Sequence, residues 1–320
     1  MMKKRLEEAF SQSFDLVGFV DTLAYNQAVN NPVRWVLEPF KMMVVVGLSY
    51  PSNRKLRHTK ETLVPSIYTF GRDYHEELKE RLTAVCESLG YSYQIGVDNH
   101  PIDERLAFKL AGLGFQGKNQ LMINNDFGSY LFIGIALFEF ELLIDNQLVD
   151  DGCGSCTICQ EACPTGALNP ENGYEMNKCI SFFNQEKKEL SEKEVKKNHS
   201  LFGCDICQTV CPKNINILRP QHSGFMLNGN EQVEIIDLFR MPSKAFKEKY
   251  HNAAYLWRGK LILMRNAVTL LYKTRNTYYN DLIKDSLLTY KDVKWYVNTV
   301  SKLLEELERM KINEVKPRII

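Results

Sequence analysis

Apolar residues run almost unbroken through K-M-M-V-V-V-G-L-S-Y at 41–50. So short and β-branched a run predicts a strand buried on both faces. F-D-L-V-G-F-V at 14–20 predicts a second strand. Y-S-Y-Q-I-G-V at 91–97 alternates as a third should, and Gly128 and Ser129 lead into a fourth, Y-L-F-I-G-I-A-L-F-E-F. The intervening pattern has the helical period instead. Met1 to Ser13 reads as a short amphipathic helix, and from Asp73 onward Leu78, Leu82, Val85 and Leu89 form a stripe ended by Gly90. Pro101 starts another helix, with Asp103 and Glu104 suited to its positive end. Residues 51–65 make a polar, basic loop.

The later half is patterned differently. Leu142 to Asp150 links the strand-and-helix region to a cysteine-rich stretch, and a charged run after Cys179 predicts a solvated helix and loop. Pro220, Gly224 and Gly229 mark a linker. From about Gln232 the chain reads as successive helices, a repetition that suggests a short stack of HEAT-like hairpins.

Composition places the chain among soluble globular proteins, with 320 residues, 44% hydrophobic and 25% charged. Its longest apolar runs fall short of the roughly 18 residues of a membrane span. Met1 to Phe10 carries acids where a secretory segment needs an apolar core. The expectation is therefore a cytoplasmic protein without membrane association. The net charge of +1 hides an asymmetry: 241–320 holds 16 Lys+Arg against 8 Asp+Glu, while the remainder holds 24 against 31. A cationic end on an acidic body suits a polyanionic substrate, and equally a solvated helical surface.

Eight of the nine cysteines crowd between Asp151 and Asn214, and this changes the picture most. Cys153, Cys156, Cys159 and Cys163 follow C-x2-C-x2-C-x3-C-P, the run in which three thiolates hold one cubane cluster and the fourth reaches a second. Two 4Fe-4S clusters are thus implied. Cys153, Cys156 and Cys159 join Cys211 around the first; Cys204, Cys207 and Cys179 join Cys163 around the second. Structural zinc also uses C-x2-C pairs, but does not ask for three cysteines at successive three-residue spacings with Cys-Pro closing both runs. A disulfide framework suits secreted chains rather than this one. The ninth cysteine, Cys86, reads as a small packed hydrophobe in its helix.

Two further features carry chemistry. Asp98, between a strand end and a helix start, is a candidate proton donor or a helix cap. G-L-G-F-Q-G-K-N at 112–119 satisfies G-x-G-x-x-G but follows a helix rather than a strand, and Asn119 stands where a phosphate loop needs Ser or Thr. A glycine-rich turn that brings backbone close to a large flat cofactor is the better reading, with a plain turn as its alternative.

Y-T-F-G-R-D-Y-H at 68–75, V-D-N-H-P-I-D-E-R at 97–105, A-G-L-G-F-Q-G-K-N at 111–119, G-S-Y-L-F-I-G at 128–134 and the two cysteine runs together resemble the epoxyqueuosine reductases. These are cobalamin-dependent iron-sulfur enzymes that complete queuosine in tRNA. The resemblance implies an α+β fold in three parts: a nitroreductase-like cobalamin-binding domain over 1–145, a ferredoxin-like two-cluster module over 146–225, and a helical HEAT-like tRNA-binding domain over 226–320. It matches Asp98 to the family's proton donor, a general acid whose pKa should be raised by burial. It also brings Ser66, Tyr68, Asn119, Met122, Ser129, Ile133 and Ser181 to the corrinoid, with Asp98. Arg258, Lys260, Arg265 and Asn266 are the expected tRNA contacts. Asn99 and His100 depart from the family, which carries small residues there. The expected partners are tRNA bearing epoxyqueuosine and an external one-electron donor such as flavodoxin or ferredoxin, and the expected working form is a monomer. A dehalogenase-like or flavin-dependent iron-sulfur reductase would use a similar layout. A pure electron carrier would need neither the long segment before the clusters nor the basic one after them.

Overall fold

The computed structural model describes residues 2–29, 37–52 and 56–315; Asn53, Arg54 and Lys55 of the expected basic loop lie outside them. Four strands, β1 (Leu16–Asp21), β2 (Met42–Ser49), β3 (Tyr93–Gly96) and β4 (Leu131–Phe138), form one sheet in the order β1-β2-β4-β3. Every neighbouring pair is antiparallel, with Val45 opposite Gly18 on one side and Ile135 on the other. All eight residues of β2 are buried. Helices cover both faces, which is why its hydrophobic pattern runs on instead of alternating. On one face Met43 and Val45 pack with Ala107 and Phe108 of a short helix, α4 (Glu104–Leu110). On the other, Gly134 of β4 lets Leu78 and Leu82 of the long α3 (Tyr74–Leu89) close on the sheet. α1 (Met2–Ser11) and α2 (Thr22–Ala28) complete this layer structure.

Helix ends follow the expected chemistry with one shift. Asp73 caps α3 by accepting the His75 N–H, and Gly90 ends it in the left-handed conformation. α4 starts at Glu104 rather than at Pro101, because the Asp103 carboxylate accepts the N–H groups of Arg105 and Leu106 and fixes the first turn there. Cys86 is a packed hydrophobe as expected, its thiol pushed up to about 12 by burial.

Contacts divide the chain into two compact units rather than three consecutive blocks. The first holds 1–52, 72–162 and 207–225, and therefore the sheet; the second holds 53–71, 163–206 and 226–320. The cysteine-rich stretch is shared out because residues 163–206 lend Ile180, Phe183, Leu190, Val195, Leu201 and Phe202 to the second unit's apolar core. That core is helical: α5 (Glu192–Lys197), α6 (Ile235–Arg240), α7 (Ser243–Lys249), α8 (Lys260–Thr274), α9 (Asn280–Thr289) and α10 (Lys294–Val315). A two-residue pairing of Val233 with Leu63 ties segment 53–71 into it. α8 is buried nearly all round, which explains why no single stripe shows in its sequence. The charged run after Cys179 forms α5, closed by a Ser191–Glu194 capping box and pinned by Val195. Among the described residues no helix is long and apolar enough to cross a membrane.

Candidate iron-sulfur and proton-donor sites

In the first unit Cys153, Cys156, Cys159 and Cys211 line one cavity, together with Lys118, Asn119, Gly152 and Lys213. Burial raises the Cys159 thiol first, and the nearby sulfurs of Cys211, Cys153 and Cys156 raise it further. Cys211 is raised in the same way. Four sulfurs standing around a shared space are the arrangement a cluster asks for, a body to which each thiolate contributes one bond. The loop tightens locally, since the Cys156 N–H donates to the Cys153 carbonyl at 2.9 Å and the Cys153 N–H to Asp151 at 2.8 Å.

The glycine-rich loop does approach this cavity. The Lys118 N–H donates to Cys153 Sγ at 3.4 Å, and Lys118 Nζ donates to the carbonyls of Gly154 and Cys156 at 2.7 and 3.0 Å. Asn119 is buried; its Oδ1 accepts the Leu121 N–H, while its Nδ2 has no partner. Neither nucleotide reading is needed to explain these glycines.

Of the second cysteine set, Cys163, Cys179 and Cys204 lie in the second unit and Cys207 in the first. Cys204 Sγ is 3.6 Å from His199 Nε2. Burial acts to raise the Cys163 thiol, but hydrogen bonds from Thr165 and from the Leu168, Thr165 and Ala167 backbone bring it below its ordinary value.

Asp98 has a left-handed backbone, φ 58°. Its Oδ2 accepts from the Tyr74 hydroxyl at 2.7 Å and from His75 Nε2 at 3.1 Å. The other His75 nitrogen lies 2.8 Å from Asp73 Oδ1. The Tyr74 ring stacks between His75 and Phe132, centroids 4.0 and 4.3 Å away, which holds the hydroxyl in line. Burial opposes charge on His75, yet the hydrogen bonds to Asp73 and Asp98, and then their charges, hold it up at about 9. Asp98 moves the other way. The His75 hydrogen bond, against burial and with help from Tyr74, holds it below the ordinary carboxylate range. This corrects the expectation of a raised pKa: more than half of the Asp98 side chain is exposed, so desolvation does not dominate. Near neutral pH the pair is carboxylate and imidazolium, and the transferable proton sits on His75. Tyr74 and His75 were quoted within a motif but given no role. Their spacing of 24 and 23 residues from Asp98 offered no local signal.

The corrinoid candidates fall into two groups. Ser66, Tyr68 and Ser181 belong to the second unit. There Gln185 Nε2 reaches the Ser181 carbonyl at 2.7 Å and the Tyr68 hydroxyl at 3.4 Å. Ser66 is buried, its hydroxyl donating to Asp205 and its N–H to the Phe202 carbonyl. Gly203 makes this approach possible; at φ +75° it is left-handed, and an added Cβ would lie 2.6 Å from Ser66 Cβ. Asn119, Met122, Ser129 and Ile133 belong to the first unit. Met122 is buried on a short strand paired to Gln116, and Ile133 is half-buried on β4. The Ser129 N–H and hydroxyl are both engaged with Asn214, and its carbonyl accepts from Gln208. It braces the loop after Cys211.

Three of the four expected tRNA contacts are corrected. Arg265 and Asn266 are fully buried in α8. The Arg265 guanidinium donates to the carbonyls of Asn184, Glu186 and Lys188 at 2.6 to 2.8 Å, and Asn266 to those of Asn184 and Leu201. Lys260 is buried and donates to the Met241 carbonyl. None of them offers a cation to phosphate. Arg258 is different: half-buried, it lies 3.8 Å over the exposed Trp257 ring and 3.8 Å from Glu186, and its Nε has no partner. It lines an open groove with Tyr174, Met176, Ser181 and Gln185.

Residues 152–214, which hold these eight cysteines, match the profile described as a 4Fe-4S double cluster binding domain, which makes this an iron-sulfur protein. Residues 32–100 match the profile described as epoxyqueuosine reductase QueG. The epoxyqueuosine reductase of Lactococcus garvieae is 30% identical over 88% of this chain and 82% of its own length, and that of Staphylococcus aureus 31% over 84% and 72%. A solved epoxyqueuosine reductase bound to an epoxyqueuosine-modified tRNA stem loop is 26% identical, covers 96% of this chain and 99% of its own, and superposes with a TM-score of 0.81. A Bacillus subtilis structure in which a catalytic aspartate loop is swung out of the active site is 27% identical with a TM-score of 0.82, over 99% and 95%. The chain belongs to the epoxyqueuosine reductase family.

Proposed function

We propose that this protein reduces the epoxide of epoxyqueuosine in tRNA to the alkene of queuosine, consuming two electrons and two protons as the oxygen leaves as water. The observation that carries this reading is the likeness, over nearly the whole chain, to a reductase solved with epoxyqueuosine-modified tRNA. Cys153, Cys156, Cys159 and Cys211 would hold one 4Fe-4S cluster; Cys163, Cys179, Cys204 and Cys207 would hold the other. The proposed corrinoid set is Ser66, Tyr68, Asn119, Met122, Ser129, Ile133 and Ser181, together with Asp98. What supports a ligand at Ser181 is that it lines an open groove with Met176, Phe182 and Gln185, which offers both apolar and polar walls. The clusters would supply single electrons from a donor such as flavodoxin or ferredoxin, and the corrinoid would supply the low-valent metal chemistry that the reduction needs.

The chain's own part is the proton. Asp98 Oδ2 receives it from His75 Nε2 and passes it to the departing oxygen, while Tyr74 keeps the carboxylate aimed. The nitroreductase-like and HEAT-like descriptions of the two units belong to this same reading. Arg258, stacked on Trp257, is the one expected tRNA contact whose charge reaches the surface. Anaerobically purified protein should carry iron, sulfide and cobalamin, and should convert epoxyqueuosine to queuosine in tRNA digests analysed by mass spectrometry. Bound flavin, or zinc in place of iron, would move the protein to another reaction class.

A further inference from the structure

Asp98 occupies a backbone region that side chains other than glycine, asparagine and aspartate seldom adopt, so something must hold it there. Glu104, the first residue of α4, supplies that hold, as its Oε1 accepts the Asp98 N–H at 2.7 Å. The same Oε1 lies 2.9 Å from His100 Nε2. The orientation of His100 is fixed independently, because its Nδ1 accepts the Ile102 N–H at 3.2 Å. With Nδ1 an acceptor, Nε2 carries the hydrogen and donates to Glu104. Space for the ring exists only because residue 96 is glycine; a Cβ there would stand 2.6 Å from His100 Cδ2. Backbone bonds from Asn99 to Val97 and from His100 to Asp98 complete the turn.

We propose that His100 is a positioning residue: through Glu104 it latches the Asp98 turn in the setting that presents the carboxylate to His75 and Tyr74. The inference rests on the proton-donor role proposed for Asp98. A related reductase has a catalytic aspartate loop swung out, so a turn of this kind has a second setting to be held against. His100 and Glu104 are mostly buried, as a latch needs to be, whereas the carboxylate it aims is exposed.

The test uses the full-length, cluster- and cobalamin-loaded protein. His100→Phe keeps the ring's bulk beside Gly96 and removes the donor; His100→Gln keeps a donor. Deuterium uptake by the peptide covering 96–104 reads the turn without reference to turnover. Turnover is then measured against tRNA concentration. The phenylalanine variant should exchange about tenfold faster in that peptide and lose about tenfold in kcat with KM unchanged, the scale of one charge-assisted hydrogen bond. The glutamine variant should recover most of both. Unchanged exchange, or faster exchange with unchanged kcat, would overturn the latch. Asp98→Asn run in parallel separates the two ideas, since undiminished turnover there removes the proton-donor role while the exchange measurement still reports on His100.

Discussion

The turn at Asp98 and the knot around Arg265 each gather several hydrogen bonds on one charged side chain, and both drew a functional reading from the sequence. They are built to opposite ends. Asp98 is more than half exposed, and its partners are side chains that can exchange protons. Arg265 is sealed, and its partners are mainly backbone carbonyls, which cannot. Burial even brings the guanidinium down to about 10. A charge that neither reaches solvent nor faces a proton carrier is committed to the fold. Here it fastens the loop that follows Cys179 to α8.

Substitution should separate the two regions cleanly. Arg265→Met removes the donors to three carbonyls and should cost about 3–5 kcal/mol of stability, measured by denaturant unfolding, with iron content falling as the Cys179 loop loosens. Asp98→Asn should leave stability and iron content close to those of the parent while lowering turnover about 10²–10⁴-fold. A stable Arg265→Met protein with weakened tRNA binding would reverse the comparison.

The same contrast shows what the sequence could reveal. Cys153, Cys156, Cys159 and Cys211, which line one cavity, could be grouped by their spacing and the Cys-Pro pairs alone, and β2 was legible because burial on two faces leaves an unbroken apolar run. The allocation of Cys163 and Cys204 to the helical unit was not, since apolar side chains 17 to 39 residues beyond Cys163, from Ile180 to Phe202, decide it. Arg265 and Asn266 were misread for a related reason. On a helix buried all round, no polar face exists to tell a buried cation from an exposed one. Asp98 was singled out by motif, but its electrostatics came from His75 and Tyr74 at the start of α3, and these reversed the expected direction of its pKa.

That reversal gives the comparison a pH axis. His75 is raised in the folded protein, so its contribution to stability is fully present below its unfolded pKa near 6.5 and is lost as pH rises through about 9. Asp98 is depressed, so its contribution is present above the ordinary carboxylate pKa and is lost as pH falls through its lowered value. Turnover should follow the donor proton, holding through neutrality and falling on the alkaline side near 9. In His75→Gln that limb should vanish along with most of the rate. An alkaline limb that survives the substitution would place the proton elsewhere.

Arg258 lies between the two extremes and should show the smallest effect. Its charge is partly neutralised by Glu186 at 3.8 Å and its plane rests on Trp257, with Nε buried, so only the outer edge of the guanidinium remains for a phosphate or a base. A half-exposed cation of this kind contributes on the order of 1 kcal/mol, and salt screens it. Arg258→Ala should therefore raise the KM for tRNA several-fold at low salt and hardly at all at high salt, with kcat unchanged. A kcat effect without a KM effect would mean that this guanidinium, like that of Arg265, serves the protein's own architecture, and that the basic surface meeting tRNA lies on other residues of the second unit.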